Sequence, residues 1–120
     1  MIETDVFIAG AGLAGSIAAL SYSKAGRNVI VADPFTYSTN AQLDYRTTAY
    51  LQPSKLFLER LGIWKAIEGS AMPLEVMKII DSSSIKIGGE IKSQKEFKSA
   101  EISDLPFGWN VKNSLMRAAL

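Results

Sequence analysis

The stretch VFIAGAGLAGSIAAL, residues 6–20, carries glycines at Gly10, Gly12 and Gly15, and no other feature restricts the fold of this chain so strongly. Val6, Phe7 and Ile8 before the first glycine form a continuous apolar run of the kind found in a parallel strand covered on both faces, so Asp5 to Ala9 is expected to be a strand. Leu13 to Ala25 then turns helical: Ala14, Ala18 and Ala19 are small, Ile17 and Leu20 supply an apolar stripe, and Gly26 follows as a C-terminal cap. Asn28 to Ala32, NVIVA, reads as a second strand. Strand, helix and strand make a βαβ unit.

A lone G-x-G-x-x-G is weak evidence, but its surroundings here meet the requirements of a dinucleotide site. The first glycine follows a strand, the third lies in the first helical turn, and an acidic residue, Asp33, ends the second strand about 20 residues on. In such a site Gly10 permits the tight turn, Gly12 lacks the Cβ that would block a pyrophosphate, and Gly15 lets the helix lie close to the strand. The free N–H groups of the helix N-terminus, around Leu13 and Ala14, together with the helix dipole favour an anion. Asp33 would accept hydrogen bonds from a ribose and disfavour a 2′-phosphate, which points to FAD or NAD. The competing readings are that the glycines only permit close strand–helix packing, and that Asp33, standing before Pro34, only starts a turn.

Composition narrows the function classes. The 120 residues are 48% hydrophobic and 21% charged, with a formal net charge of +1, which fits one soluble globular domain with a modest core. The charge gives no field for nucleic acid or an anionic membrane. With neither cysteine nor histidine in the sequence, disulfides, thiolate zinc sites and histidine-assisted nucleophiles are excluded, no metal site is expected, and no catalytic side chain can be named. From Val6 to Ser23 no residue is charged, a run that approaches the roughly 18-residue threshold of a membrane span. The glycines within it, and Glu3 and Asp5 where a signal peptide would be basic, argue for a buried segment of a soluble protein.

Beyond Pro34 the sequence FTYSTNAQLDY has no period and reads as a loop. Arg46 to Leu51 is expected to be a short strand, and Pro53 opens a helix at a position where its missing N–H is harmless. That helix would bury Leu56, Phe57 and Leu61 and close at Gly62, with one or two more helical turns in IWKAIEG. Glu75 to Asp81 and Ser84 to Lys92 are expected to be strands. A three-residue loop, Gly88 to Glu90, would set Ile87 opposite Ile91 on one apolar face with Ile85. In WNVKNSLMRAAL, Asn113 or Ser114 would cap a closing helix. The fold class is therefore α/β: a partial Rossmann-like βαβ unit with additional helices and a small antiparallel β insertion.

Three blocks in order, DVFIAGAGLAGSIAALSYSKAGRNVIVADP, DYRTTAYLQPSKLFLERLGIWKAI and FGWNVKNSLMRAAL, resemble the N-terminal third of the ubiquinone-biosynthesis hydroxylases. These are FAD-dependent aromatic monooxygenases related to para-hydroxybenzoate hydroxylase. The first block is common to many flavoproteins, whereas the arginine block ending in LERLGIW is more specific. The resemblance implies that Gly10, Gly12, Leu13, Ala14 and Gly15 hold the FAD pyrophosphate and that Asp33 holds the adenosine ribose, where the family usually has glutamate. It places Arg46 at the phosphate and ribitol region, against a reading as a solvated loop cation. It places Asn113 near the flavin, against a reading as a helix cap; where the family often has Glu-Asn, this chain has Lys112-Asn113.

The same resemblance implies hydroxylation of an electron-rich phenol, such as a polyprenylated ubiquinone precursor, by O2 on FAD reduced by NAD(P)H. The protein would bind, orient and exclude water. It implies a cytoplasmic protein, with peripheral contact to the inner face of the membrane or to a biosynthetic complex as its partner surface; the oligomeric state is not read. Family members are several times longer, so residues 1–120 are expected to be the N-terminal part of an FAD/NAD(P)-binding domain. Two other expectations stand beside the hydroxylase: an incomplete, non-catalytic fragment, and a fragment of an NAD-binding dehydrogenase, which accounts for Gly10 to Asp33 but not for the arginine block.

Overall fold

A computed structural model describes residues 3–35, 44–82 and 91–120, with the Ile91 side chain left out. Its first unit is the expected βαβ: strand β1 (Val6–Ala9), helix α1 (Leu13–Lys24) and strand β2 (Val29–Ala32). The strands pair in parallel from Val6 with Val29 to Ala9 with Ala32. Helix α1 ends as the sequence predicts. Gly26, at φ +77°, lets its own N–H reach the Ser23 carbonyl while the Arg27 N–H reaches that of Tyr22, the paired bonds of a glycine-terminated helix.

The expected double cover of β1 is not found. Its exposure alternates, and Phe7 is 62% exposed, because α1 lies against one face of this two-stranded sheet and no described element covers the other. A parallel sheet normally has both faces buried.

The second unit is a three-stranded antiparallel sheet backed by helices. Strand β3 (Thr47–Leu51) runs into α2 (Gln52–Arg60), which carries Pro53 in its first turn as expected. Gly62, at φ +73°, closes α2, with the Gly62 N–H on the Glu59 carbonyl and the Ile63 N–H on that of Leu58. The ammonium of Lys24, from the last turn of α1, donates to the Leu61 carbonyl and ties the two helix ends together. IWKAIEG then forms α3 (Trp64–Ile67) and a 3₁₀ turn over Glu68–Ser70.

Two strands of this sheet have no counterpart in the sequence reading: β4 (Met72–Leu74) and β7 (Gly108–Lys112). Strand β7 is central, paired with β3 on one side and β4 on the other. Pro73 sits on β4, an edge strand, where a missing N–H is tolerated. Gly108 is needed where β7 meets β3, because a Cβ there would lie 2.4 Å from the Tyr50 carbonyl oxygen.

Between them comes an antiparallel ribbon, β5 (Val76–Ser82) with β6 (Ile91–Lys98), registered from Val76 opposite Lys98 to Ser82 opposite Ile91. The insertion is therefore antiparallel as expected, and the described part of its second strand, Ile91–Lys98, runs beyond the expected end at Lys92. The proposed Gly88 to Glu90 loop, with Ile85 and Ile87, and the loop residues 36–43 lie outside the described residues.

The core lies between the second sheet and the helices. It comprises Tyr50, Leu58, Leu61, Ile63, Trp64, Ile67, Val111 and Met116, with Leu13, Ile17 and Leu20 of α1 packed against it. Trp64 meets Trp109 edge-on at 5.6 Å between ring centroids. Lys55 extends over both rings, 5.4 and 5.2 Å from their centres, while pairing with Glu59. The expected stripe on α2 holds at Leu61 and is corrected at Leu56 and Phe57. Leu58 is 1% exposed and Leu61 8%, whereas Leu56 and Phe57 are 53% and 44% exposed; two residues three apart share a helix face, and that face is turned to the core.

Candidate functional site

The three glycines of the first loop have three separate physical explanations. Gly10 turns out of β1 at φ +104°, a region that side chains with a Cβ rarely enter. Gly15 lies where a Cβ would come within 2.0 Å of the Gly10 carbonyl oxygen, so the helix can approach the strand only if that position is glycine. Gly12 is explained by neither: its φ of −67° is ordinary, and a Cβ on it would meet no atom of the described residues within 4 Å. The space above Gly12 is open.

The loop is fixed at both ends and in its middle. The Gly10 N–H donates to the Ala32 carbonyl at 2.7 Å, and the first intrahelical bond runs from the Ser16 N–H to the Gly12 carbonyl at 2.9 Å. The N–H groups of Leu13, Ala14 and Gly15 therefore precede the intrahelical ladder and are the donors of a helix N-terminus. Ala11 is held on both sides of its residue. Its N–H donates to Asp33 Oδ2 at 2.6 Å, while its carbonyl accepts from Ser16 Oγ at 3.1 Å and from Arg117 Nη1 at 3.4 Å. The other Asp33 oxygen accepts the Phe35 N–H at 2.8 Å. Asp33 thus makes the turn contact expected of an acid before proline and also reaches the glycine loop.

A second cluster forms where β3, β7 and α4 (Asn113–Ala119) meet. Asn113 is the first residue of α4 and is 9% exposed. It does not cap the helix: no side-chain cap bond is made, and its Oδ1 accepts from Thr48 Oγ1 at 2.7 Å. Its backbone N–H donates to the Arg46 carbonyl at 2.9 Å. Arg46 lies just before β3, with Nε and Nη2 donating to the two oxygens of Asp44 at 2.7 and 2.9 Å.

This bonding, together with that from Asn113, holds the Asp44 carboxyl at about 2, below its ordinary 3.8. A carboxyl lowered in the folded state contributes stability that is full above the ordinary value and lost as pH falls through about 2. Nearby, burial pushes the Tyr50 phenol up, against an opposing hydrogen bond from Thr48.

The structure therefore gathers the sequence-selected residues into two groups: Gly10 to Gly15 with Asp33, and Arg46 with Asn113. Helix α4 joins them, with Asn113 at the second group and Arg117 at the first. The sequence reading passed over Asp44, Thr48 and Arg117. Only Asp44 left a local sign, the spacing Asp-x-Arg at residues 44–46; the others contact residues far away in the chain.

In overall fold this chain is similar to solved hydroxylase and destructase structures. It superposes on tetracycline destructase Tet(51) with a TM-score of 0.57 at 14% identity, covering 95% of this chain and 26% of that one. On 2,6-dihydroxypyridine-3-hydroxylase from Arthrobacter nicotinovorans the TM-score is 0.50 at 20% identity, covering 96% and 25%. In sequence, the chain is 27% identical over 118 residues to the ubiquinone hydroxylase UbiL of Rhodospirillum rubrum, an alignment covering 97% of this chain and 26% of that protein. The chain thus spans about a quarter of the length of this curated relative, and the resemblance to ubiquinone-biosynthesis hydroxylases stands on that alignment. No protein-family model matches the sequence.

Proposed function

We propose that residues 1–120 are the FAD-binding portion of a flavoprotein that hydroxylates an aromatic, ubiquinone-precursor-like ring with NAD(P)H and O2. The observation that carries this reading is the open space over Gly12. Gly69 also lacks Cβ neighbours among the described residues, so what distinguishes Gly12 is its place as the N-cap of α1, where the first-turn N–H groups border the open space. The residues present fit a dinucleotide: Gly12, Leu13 and Ala14 at the pyrophosphate, Asp33 at a ribose, and Arg46 and Asn113 along the chain toward the flavin. When bound, FAD supplies the redox and oxygen-activating chemistry.

The chain's own residues bind and orient. Helix α1 directs its N-terminal dipole at negative charge, worth about 0.3–1 kcal/mol per exposed interaction. Asp33 supplies a carboxylate that accepts the Ala11 and Phe35 N–H groups and would also accept a sugar hydroxyl. The Arg46 and Asn113 cluster favours FAD over NAD, because the glycine loop and Asp33 alone suit either. A phenol with a polyprenyl tail would bring the protein to the inner membrane face as a peripheral enzyme; among the described residues no helix is long and apolar enough to cross a membrane.

Substitution of Gly12→Val in the natural protein tests the reading. The wild type should purify yellow and the variant colourless, and with flavin removed from both, the two should unfold at midpoints close to one another, since the added side chain starts in open space. Full flavin content in the variant would return Gly12 to a purely structural role, and a colourless wild type that retains NAD would replace flavoprotein by dehydrogenase.

A further inference from the structure

Asp44 is built differently from the arginine it holds. Its side chain is 18% exposed, whereas that of Arg46 is 79% exposed. Its two oxygens take Nε and Nη2 of Arg46 in a two-point fork, and Oδ1 also accepts the Arg46 backbone N–H at 3.2 Å. Asn113, whose own N–H binds the Arg46 carbonyl, stands beside the same carboxylate and helps to lower its pKa. Four bonds thus connect one covered carboxylate and one buried asparagine to a single arginine at the start of β3. An exposed arginine samples many rotamers, and fixing it on capture of a ligand has an entropic cost. A bidentate carboxylate removes that freedom in advance.

We propose that Asp44 is a positioning residue that pre-sets the Arg46 guanidinium for an anionic group of the bound cofactor. This rests on the flavin reading of the site. The carboxylate also offsets part of the arginine's charge, so its benefit must come from geometry: Asp44 directs Arg46 rather than adding attraction of its own. The opposite role, a carboxylate that occupies Arg46 and has to be displaced by the cofactor, predicts the opposite sign on removal.

The test measures FAD affinity of the natural protein, stripped of flavin and titrated back, for wild type, Asp44→Asn, Asp44→Glu, Arg46→Ala and the double variant Asp44→Asn/Arg46→Ala. Arg46→Ala should weaken binding about tenfold or more, as expected for loss of a charged hydrogen bond. Asp44→Asn should weaken it up to about fivefold, the scale of an exposed ion pair. Asp44→Glu, which keeps the charge but moves it by one methylene, should weaken it similarly, and Asp44→Asn should add nothing once Arg46 is alanine.

The Arg46 Nε–Hε resonance, observed without flavin, should be displaced in both Asp44 variants while the unfolding midpoint falls only slightly, as for loss of an exposed ion pair. Affinity equal to or tighter than wild type in Asp44→Asn overturns the proposal, as does an equal loss in the Arg46→Ala background. A wild type that takes up no FAD, with the resonance reporting an intact fork, identifies the flavin reading as the failure, and the role assigned to Asp44 falls with it.

Discussion

The βαβ unit and the β3–β7–β4 unit differ most in what encloses them. Every buried hydrophobic residue among those described, from Tyr50 to Met116, comes from the second unit and its helices, while α1 contributes none and Phe7 stands open to solvent. Yet the loop with the strongest chemical signature belongs to the first. The difference teaches that the chain is held together in one place and carries its proposed binding loop in another. The glycine loop is kept in shape by hydrogen bonds to Ala11 and by α1 resting on the other unit's core.

Substitutions in the two units should separate these contributions. The largest effect belongs to the enclosed unit: Trp64→Ala removes a side chain that is 3% exposed and edge-on to Trp109, and urea unfolding should show a loss of about 3–5 kcal/mol. Gly10→Ala comes next, because it places a Cβ on a backbone at φ +104°; the expected loss is about 1–3 kcal/mol, with the loop rather than the core disturbed. Phe7→Ala should be the smallest, within about 0.5 kcal/mol in the 120-residue chain, as for exposed substitutions generally. A loss at Phe7 rivaling that at Trp64 would mean the open face of β1 is covered in solution, and the contrast between the units would collapse.

Local signals made the first unit legible. Turn, helix start and helix end are each written within a few residues at Gly10, Leu13 and Gly26, and the same holds for Pro53 and Gly62 around α2. The second unit was harder because its decisive partners are distant. Four apolar residues, Leu56, Phe57, Leu58 and Leu61, surround much of α2, and only the position of the sheet selects Leu58 and Leu61. Strand β7 is five residues long and passes directly into α4, so its sequence looks like the approach to a helix.

Asn113 was legible as a special residue but not in its local role. The hydroxyl that occupies its side chain belongs to Thr48, 65 positions earlier. The pair of site clusters was readable as separate motifs, whereas their link through Arg117 to the Ala11 carbonyl depends on how α4 is laid across the fold.

The unequal demands on the three loop glycines also bear on how such a sequence changes over time. Positions 10 and 15 are constrained by the chain itself, one by its backbone angle and the other by the carbonyl beneath it. Position 12 has an ordinary φ and no Cβ neighbour among the described residues. If the loop holds a dinucleotide as proposed, a lineage that abandoned it would accumulate mutation first at residue 12, leaving the other two glycines as the trace of an older selection.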